Sequence, residues 1–355
     1  MSTVAVVNTT PKTIFDDVEK VMELGEFKKT FSPNIKTILK LNLSWSLFYP
    51  ACSTHPYIFD GLVKYLINND FSPEKIVPIE NETVVTKIDK GLKNNRWNSI
   101  IEKYNLNFEA LTKTKWVPVK LSKPTLKLEE IFGQIIVPEN VIDAQILHLP
   151  TIKCHGHSEM TGALKNAFGM LLKKVRFHSH LWIHEILTDL LLVQKEVCGP
   201  LFALTDGTII GDGAGPRTHD LKLGNILLAS NDMVSIDAIQ CKVMGIPLKK
   251  VPKIKMCHDL GLGIGDLDQI ELVGDYDRIE NLPNFQTKTK MSPVIYWNRR
   301  LYDSPFKHIL FDTNVFNIPV KLSATYHDYL WYPMKARKKI AWFYKTGWGK
   351  LFNNY

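Results

Sequence analysis

The sequence predicts an α/β fold, with a mainly parallel or mixed sheet and flanking helices. Short apolar runs of strand length alternate with segments of helical periodicity, which is the pattern of successive βαβ units. The chain has 355 residues, of which 45% are hydrophobic and 23% charged, enough for a sizeable core. Polar side chains follow several predicted strands, where sheets of this class place their ligands.

The predicted elements alternate along the chain. Strands are predicted at residues 3–7, 35–43, 75–80, 144–152, 200–206 and 225–229. Helices are predicted at residues 10–24, 56–69, 95–104, 108–112, 161–175, 182–197 and 233–244. The stretch 120–127, which contains Pro124, leaves open a division into two lobes.

Composition excludes several classes of protein. The five cysteines are isolated, so we expect no intrinsic iron–sulfur cluster and no structural zinc ribbon. The N-terminus has no basic region followed by an apolar run, and no stretch has the length of a membrane span. Isolated cysteines suit a reducing compartment. Together with the lack of a signal or membrane-span pattern, they predict a cytoplasmic protein.

The positive charge lies at the C-terminal end, so we divide the chain into an α/β domain (1–280) and a C-terminal extension (281–355). The extension holds 12 Lys/Arg against 3 Asp/Glu, and 17 of the 37 aromatic residues. Residues 329–352 interleave aromatic with basic residues, which is typical of a membrane interface and predicts a membrane-peripheral location. Stacking on single-stranded nucleic acid is less favoured. In the alternative reading, the aromatic residues pack on the α/β domain.

The central predicted site begins with Lys153, His155 and His157, which alternate along a predicted strand end and therefore share one face. Lys165 follows near the start of the next predicted helix. Its helical neighbours Thr161 and Gly162 are small, and the helix dipole adds positive potential.

The pattern predicts a bound anion or cofactor, with His155 and Lys165 as catalytic residues. Lys153, Thr161, Gly162 and Asn166 would contact the ligand. Lys165 as an ordinary exposed helix lysine is the structural alternative.

Further candidates lie in other segments. Lys40 and Asn42 form a second pair at a strand end, which would contact the same ligand, and Asp206 is a third candidate catalytic residue, which would orient a histidine. Gly213 and Gly215 lie in a glycine-rich loop that suits an anion nest or a tight turn. His157, His178 and His180 are candidate ligands of a divalent metal, although a polar helix start explains His178 and His180 as well.

These motifs, in this order, resemble the family called domain of unknown function 362. The resemblance covers roughly residues 3–275 and rests on the following segments: Lys40-x-Asn42, Lys153-x-His155, the run from Thr161 to Gly169, Asp206-Gly207, Gly213-x-Gly-Pro216, Leu228 to Asp232 with Asp237, and Gly261-x-Gly263. Many relatives carry a ferredoxin-like cluster segment that this chain lacks. An electron-transfer role would therefore need a partner's cluster. The family implies no particular reaction.

A more distant resemblance concerns the nickel-pincer lactate racemases. In that family, a lysine ten residues after a histidine carries a covalently attached cofactor, and His155 and Lys165 have this spacing. A later histidine ligates nickel there, and His178 or His180 lies near that position. The double glycine before the family's lysine is Thr161-Gly162 here.

Together these features predict an enzyme that binds a small anionic substrate or cofactor in a Lys/His/Asp crevice. The resemblance to the racemases implies an isomerase, while an oxidoreductase using proton or hydride transfer remains open. The alternative is a non-catalytic ligand-binding protein, or a membrane-peripheral partner of a redox system. The substrate and the oligomeric state are left open.

Overall fold

We describe the fold from a computed structural model of the chain. It describes residues 1–83, 86–173, 176–280, 296–297, 300–301, 304 and 317–355. None of the helices in these ranges is long and apolar enough to cross a membrane. The predicted extension is therefore characterised mainly through residues 317–355.

A sheet of ten strands forms the centre of the fold. In the part of the chain that the structure describes, the strands are β1 (Ser2–Asn8), β2 (Thr37–Lys40), β3 (Ile76–Glu80), β4 (Glu109–Ala110), β5 (Trp116–Pro118), β6 (Ile136–Pro138), β7 (Gln145–His148), β8 (Thr151–His155), β9 (Glu159–Met160), β10 (Leu201–Asp212), β11 (Asp220–Ser230) and β12 (Ile270–Gly274). The strand order in the ten-stranded sheet is β12-β1-β11-β10-β7-β2-β3-β4, with β8 pairing to β10 and β9. Strands β5 and β6 form a separate pair. Most pairings are parallel, which confirms the predicted fold class.

Helices cover both faces of the sheet. They are α1 (Ile14–Leu24), α2 (Phe27–Thr30), α3 (Pro56–Asn68), α4 (Ile88–Asn94), α5 (Trp97–Lys103), α6 (Leu128–Phe132), α7 (Ala163–Leu171), α8 (Ile183–Val197), α9 (Met233–Met244), α10 (Pro252–Asp259) and α11 (Asp277–Glu280). Two further helices, Asn317–Thr325 and Arg337–Lys345, flank a π-helical segment at Tyr326–Ala336, and Gly347–Phe352 forms a last short helix.

The strand alternation divides the core into two apolar layers. Val4 and Val6 of β1 pack in the layer that contains α7, α8 and α9. Ala5 and Val7 of the same strand pack in the opposite layer, with α1 and α3. Because successive strand side chains point to opposite faces, one strand serves both layers.

Two sequence predictions about local structure are wrong. Residues 108–112 are predicted to be helical, but Glu109–Ala110 forms β4, the edge strand that pairs with β3. The pairing shows that tertiary contacts override the weak helical pattern of so short a segment. The helix predicted at 161–175 ends at Leu171, because Leu172 adopts an extended conformation.

The described part of the C-terminal extension packs several of its large aromatic residues on the α/β domain. Phe343, Trp348 and Phe352 are buried in the layer with α1 and α3. Trp331 packs against Trp45 in a smaller apolar cluster. These contacts agree with the alternative in which the aromatic residues belong to the core.

Candidate anion-binding site

Lys153 lies inside the protein at the centre of the predicted site. Its Nζ donates hydrogen bonds to Asn42 Oδ1 at 2.6 Å, to the Cys52 carbonyl at 3.0 Å and to Thr151 Oγ1 at 2.5 Å. Burial lowers the pKa of this amine to about 8. The contacts bring together Lys153 and Asn42, two residues that the sequence placed in one crevice.

Lys40 also belongs to this region but is already neutralised. Its Nζ forms a buried ion pair with Glu80 Oε1 at 2.5 Å. Burial is the main reason that the pKa of Lys40 is lowered, and Glu80 opposes that shift. Asn166 links this pair to the site, because its Nδ2 donates to the Lys40 carbonyl at 2.9 Å and its Oδ1 accepts from Asn42 Nδ2 at 3.3 Å.

The N-terminus of α7 is capped by a residue from another helix. The Ala163 amide donates to Asp237 Oδ1 at 2.7 Å, and Lys253 Nζ lies 3.1 Å from Asp237 Oδ2. Gly162 makes this approach possible, since a Cβ built on it would lie 2.3 Å from Asp237 Oδ1. The predicted anion position at the helix start is therefore held by the protein's own carboxylate. Thr161 instead donates its hydroxyl to the Thr151 carbonyl at 2.8 Å.

Lys165 differs from Lys40, Lys153 and Lys253 because it lacks an oxygen partner. In the part of the chain that the structure describes, its Nζ forms no hydrogen bond or ion pair and lies 4.9 Å from the centroid of the Phe168 ring. The residue is partly buried. Burial lowers its pKa to about 7, assisted by the positive charges of Lys253, Arg176 and Lys153.

Three imidazole rings gather next to this lysine. The His155 and His180 rings are stacked with centroids 6.1 Å apart, and the His157 ring is 6.0 Å from His155 and 5.1 Å from His180. His155 Nδ1 accepts a hydrogen bond from the His157 amide at 3.2 Å. Burial, and next the charge of Lys165, hold the pKa of His155 well below its ordinary value. His155 is therefore neutral at pH 7.

The Phe168 ring connects the histidines to a residue that sequence reasoning missed. His180 contacts this ring edge-to-face at 5.0 Å, and the guanidinium carbon of Arg176 lies 5.7 Å from its centroid. Arg176 is buried and donates to the carbonyls of Leu172 and Lys173, each at 3.0 Å. One aromatic ring is thus bordered by Lys165, Arg176 and His180, an arrangement that favours positive charge.

The buried cations exceed their carboxylate partners. Lys40 and Lys253 have the partners Glu80 and Asp237. Lys153 and Arg176 donate only to neutral oxygens in their side-chain contacts described above. Lys165 has no such acceptor, so this region has the positive potential that an anion requires.

Asp206 contacts a histidine, His55. Its Oδ2 lies 2.6 Å from His55 Nδ1, while its Oδ1 accepts from the amide and hydroxyl of Thr208 at 2.9 and 2.7 Å. The sequence predicts that Asp206 orients a histidine without indicating which one. Both Asp206 and His55 are buried. His55 precedes α3, where no strand pattern drew attention to it.

The glycine-rich loop after β10 closes against the end of β8. A Cβ on Gly215 would lie only 1.8 Å from the Cys154 carbonyl oxygen, so the close approach requires glycine. The Gly156 amide also donates to the Gly215 carbonyl at 3.3 Å. Gly213, in contrast, has open space where a Cβ would be. The loop therefore borders the strand end that carries His155.

The metal prediction remains a prediction. The side chain of His178 lies outside the described part of the structure. Within the described ranges, no group of three His, Cys, Asp or Glu side chains is arranged to hold a metal ion. His157 and His180 do lie together, with ring centroids 5.1 Å apart.

Some of the missed residues had detectable signals. Glu80 ends a predicted strand, as Lys40 does, and the same reasoning would have selected it. Arg176, His55 and Lys253 offered no comparable signal, because their roles depend on contacts with residues distant in sequence.

These lysines and histidines lie at strand ends and at a helix start of an α/β fold, and the chain was compared with known protein families. The family described as domain of unknown function (DUF362) matches residues 37–242, more than half of the chain. The chain belongs to this family, which confirms the first resemblance. The matched range includes Lys40, Asn42, Lys165 and Asp206.

A relative is a thylakoid-associated protein of Synechocystis sp., which is 22% identical over 181 residues. The match covers 50% of this chain and 56% of the relative, so the chain spans about half the length of the curated relative. The likeness to nickel-pincer lactate racemases is not shown by these comparisons and remains a sequence-based hypothesis.

Proposed function

We propose that the protein binds a small anion against Lys165, beside His155, His157 and His180. The observation that carries this proposal is the Lys165 ammonium, which has no oxygen partner among the described residues. A partly buried ammonium without a counter-charge costs free energy, and an anionic ligand would offset that cost. A group kept at such a cost is typical of a functional site.

The neighbouring residues support an anionic substrate. A ligand bound to Lys165 would also meet the positive potential of Arg176 and Lys153, whose charges lower the pKa of Lys165. Burial and the charge of Lys165 lower the pKa of His155, and a bound anion would oppose the effect of that charge and so favour proton uptake by the imidazole. An enzyme that moves a proton next to a bound anion, such as an isomerase, suits these two residues best. Hydride transfer would need a redox cofactor in addition.

A non-catalytic binding protein is the second candidate. The name of the Synechocystis relative says that it is associated with thylakoids. This favours a membrane-peripheral partner protein over a freely cytoplasmic enzyme. The mass of the purified protein, with elemental analysis, separates the candidates, because a metal or an adduct on Lys165 favours the enzyme.

The anion proposal is tested by calorimetric titration with inorganic phosphate and with lactate. We expect wild-type protein to bind at least one of them, and Lys165→Met to bind it roughly tenfold or more weakly. Lys195→Met on α8 is the matched control, since Lys195 is exposed. Equal affinities in wild type and Lys165→Met would contradict the proposal, as would failure of both probes to bind.

The affinity should also depend on pH in a defined direction. Because the pKa of the free Lys165 amine is about 7, the amine is protonated below that value and neutral above it. A bound anion favours the protonated form, so binding takes up a proton above pH 7. The affinity should then fall by about tenfold per unit as pH rises from 7 to 9. If the affinity does not change with pH over this range, Lys165 is not the group that binds the anion.

A further inference from the structure

The described C-terminal helices present different chemistry on their two sides. On the side toward the α/β domain, Trp331, Phe343 and Trp348 are buried. On the side toward solvent lie Leu322, Tyr329, Leu330, Met334 and Trp342, which are 64, 75, 52, 68 and 39% exposed. Large apolar side chains at this exposure lose the stabilisation that burial would give them.

Basic residues accompany these exposed apolar side chains. Lys321, Lys335, Arg337, Lys338 and Lys345 are all exposed on the same segment. Cations interspersed with large apolar residues are the composition of helices that lie in a membrane interface.

The acidic side chain of this segment contacts the α/β domain. Asp328 is the only Asp or Glu from residue 317 to the C-terminal end of the sequence. Its Oδ1 accepts a hydrogen bond from Trp45 Nε1 at 2.7 Å. Lys339, which differs from the exposed cations, pairs with Asp220 of β11. The charge on the outer side is therefore positive.

We propose that the outer side of residues 321–345 is a docking surface for an anionic lipid bilayer. Leu330 and Met334 would enter the headgroup region, while Lys335 and Lys338 would meet lipid phosphates and carboxylates. The buried aromatic side would keep the helices attached to the α/β domain. This surface does not depend on the anion site, and it deepens only the membrane-peripheral alternative.

The exposed aliphatic residues favour lipid over nucleic acid. Single-stranded nucleic acid is bound by aromatic rings that stack on bases, together with cations that contact the backbone. Leu322, Leu330 and Met334 have no role in such stacking. In a bilayer interface, however, each removes apolar area from water.

The test is sedimentation of the full-length protein with vesicles of phosphatidylcholine alone, or with roughly 30% phosphatidylserine, at about 0.1 M salt. We expect binding to the anionic vesicles, weaker binding to the neutral ones, and loss of binding at high salt. The double variant Leu330→Ser/Met334→Ser should bind roughly tenfold or more weakly. Its control is Leu260→Ser/Leu267→Ser, at two exposed leucines of the α/β domain.

Charge is tested separately with Lys335→Glu/Lys338→Glu. Each exposed lysine near an anionic surface contributes about fivefold in affinity, so the two reversals should weaken binding roughly 30-fold or more. Lys90→Glu/Lys195→Glu is the control, with the same change in net charge at two exposed residues on α4 and α8. Lys165→Met should bind vesicles as wild type does, which separates this surface from the anion site.

Three results would overturn the proposal. The first is no binding of folded wild-type protein to anionic vesicles. The second is an equal loss of binding in the surface variants and their controls. The third is tight binding to a single-stranded oligonucleotide, or a dimer that Leu330→Ser/Met334→Ser dissociates, with no vesicle binding in either case.

Discussion

Two lysines near the N-terminal end of helix α7 differ in how their positive charge is balanced. At its N-terminus, Lys253 has a carboxylate partner in Asp237, which also caps the helix. Two residues after Ala163, Lys165 has no oxygen partner in the described structure, and its Nζ lies 4.9 Å from the centroid of the Phe168 ring. The first arrangement is complete without a ligand, whereas we propose that a ligand completes the second. The lysine to mutate for function is therefore Lys165.

This comparison also separates two kinds of residue within one motif. The Thr-Gly-Ala start of α7 serves folding, since Gly162 makes room for Asp237. Lys165 and His155 have no comparable structural task in the contacts that surround them. A motif in one segment can thus contain residues for stability and residues for binding.

The largest expected loss of stability follows from breaking the Asp237–Lys253 pair at the N-terminus of α7. Asp237→Ala removes the helix cap and leaves Lys253 buried without its partner. We expect the free energy of unfolding to fall by about 3–5 kcal/mol, because a buried charge loses its counter-charge. Urea unfolding followed by circular dichroism measures this loss.

The control for that prediction is Asp259→Ala, which breaks an exposed ion pair with Lys255. It should lower the free energy of unfolding by less than about 0.5 kcal/mol. If both variants lose the same small amount, the Asp237–Lys253 pair has no structural role, and the comparison with Lys165 fails.

A second buried pair gives the next largest effect. Glu80→Gln keeps an oxygen for Lys40 and for the Leu43 amide but removes the carboxylate charge. We expect a loss of about 2–3 kcal/mol in the free energy of unfolding. Adding Lys40→Met should recover part of this loss, since the uncompensated ammonium is then absent. A strictly additive double variant would mean that the two side chains are not coupled.

Much of the fold followed from the sequence, because strand and helix periodicity are local signals. β1, β2, β3 and β7 lie within or near the predicted strands. β10 was predicted only as far as Asp206 but continues to Asp212, where it pairs with β11. That continuation depends on a hairpin partner that local periodicity does not show.

The candidate site was predictable in part for the same reason. Lys153, His155 and Lys165 were found from their position at a strand end and a helix start. The contact that caps the helix start was not found, because Asp237 reaches the Ala163 amide from a helix 74 residues away in sequence. Asp206 illustrates the same limit, since His55, its partner, is 151 residues away in sequence. Residue type and spacing indicate where a site is, but long-range pairing decides which charges remain available.

The smallest expected change in stability concerns Lys165, the lysine without an oxygen partner among the described residues. Lys165→Met should raise the free energy of unfolding at pH 7 by about 1–2 kcal/mol, because it removes a partly buried ammonium that lacks an acceptor. Lys195→Met, at an exposed lysine, should change it by less than about 0.5 kcal/mol. A clear loss of stability in Lys165→Met would instead assign this lysine a structural role.

The pH dependence of this gain identifies its cause. The pKa of Lys165 is about 7 in the folded protein and about 10.4 in an unfolded chain. Between these values the unfolded state binds more protons, so the stability of the wild type rises with pH. Below pH 7 both states are protonated and the full cost of the charge is present; above pH 10.4 both are neutral and the cost is gone. The gain in the free energy of unfolding from Lys165→Met should therefore shrink from pH 7 to pH 10. A gain that stays constant over this range would mean that its cause is packing rather than charge.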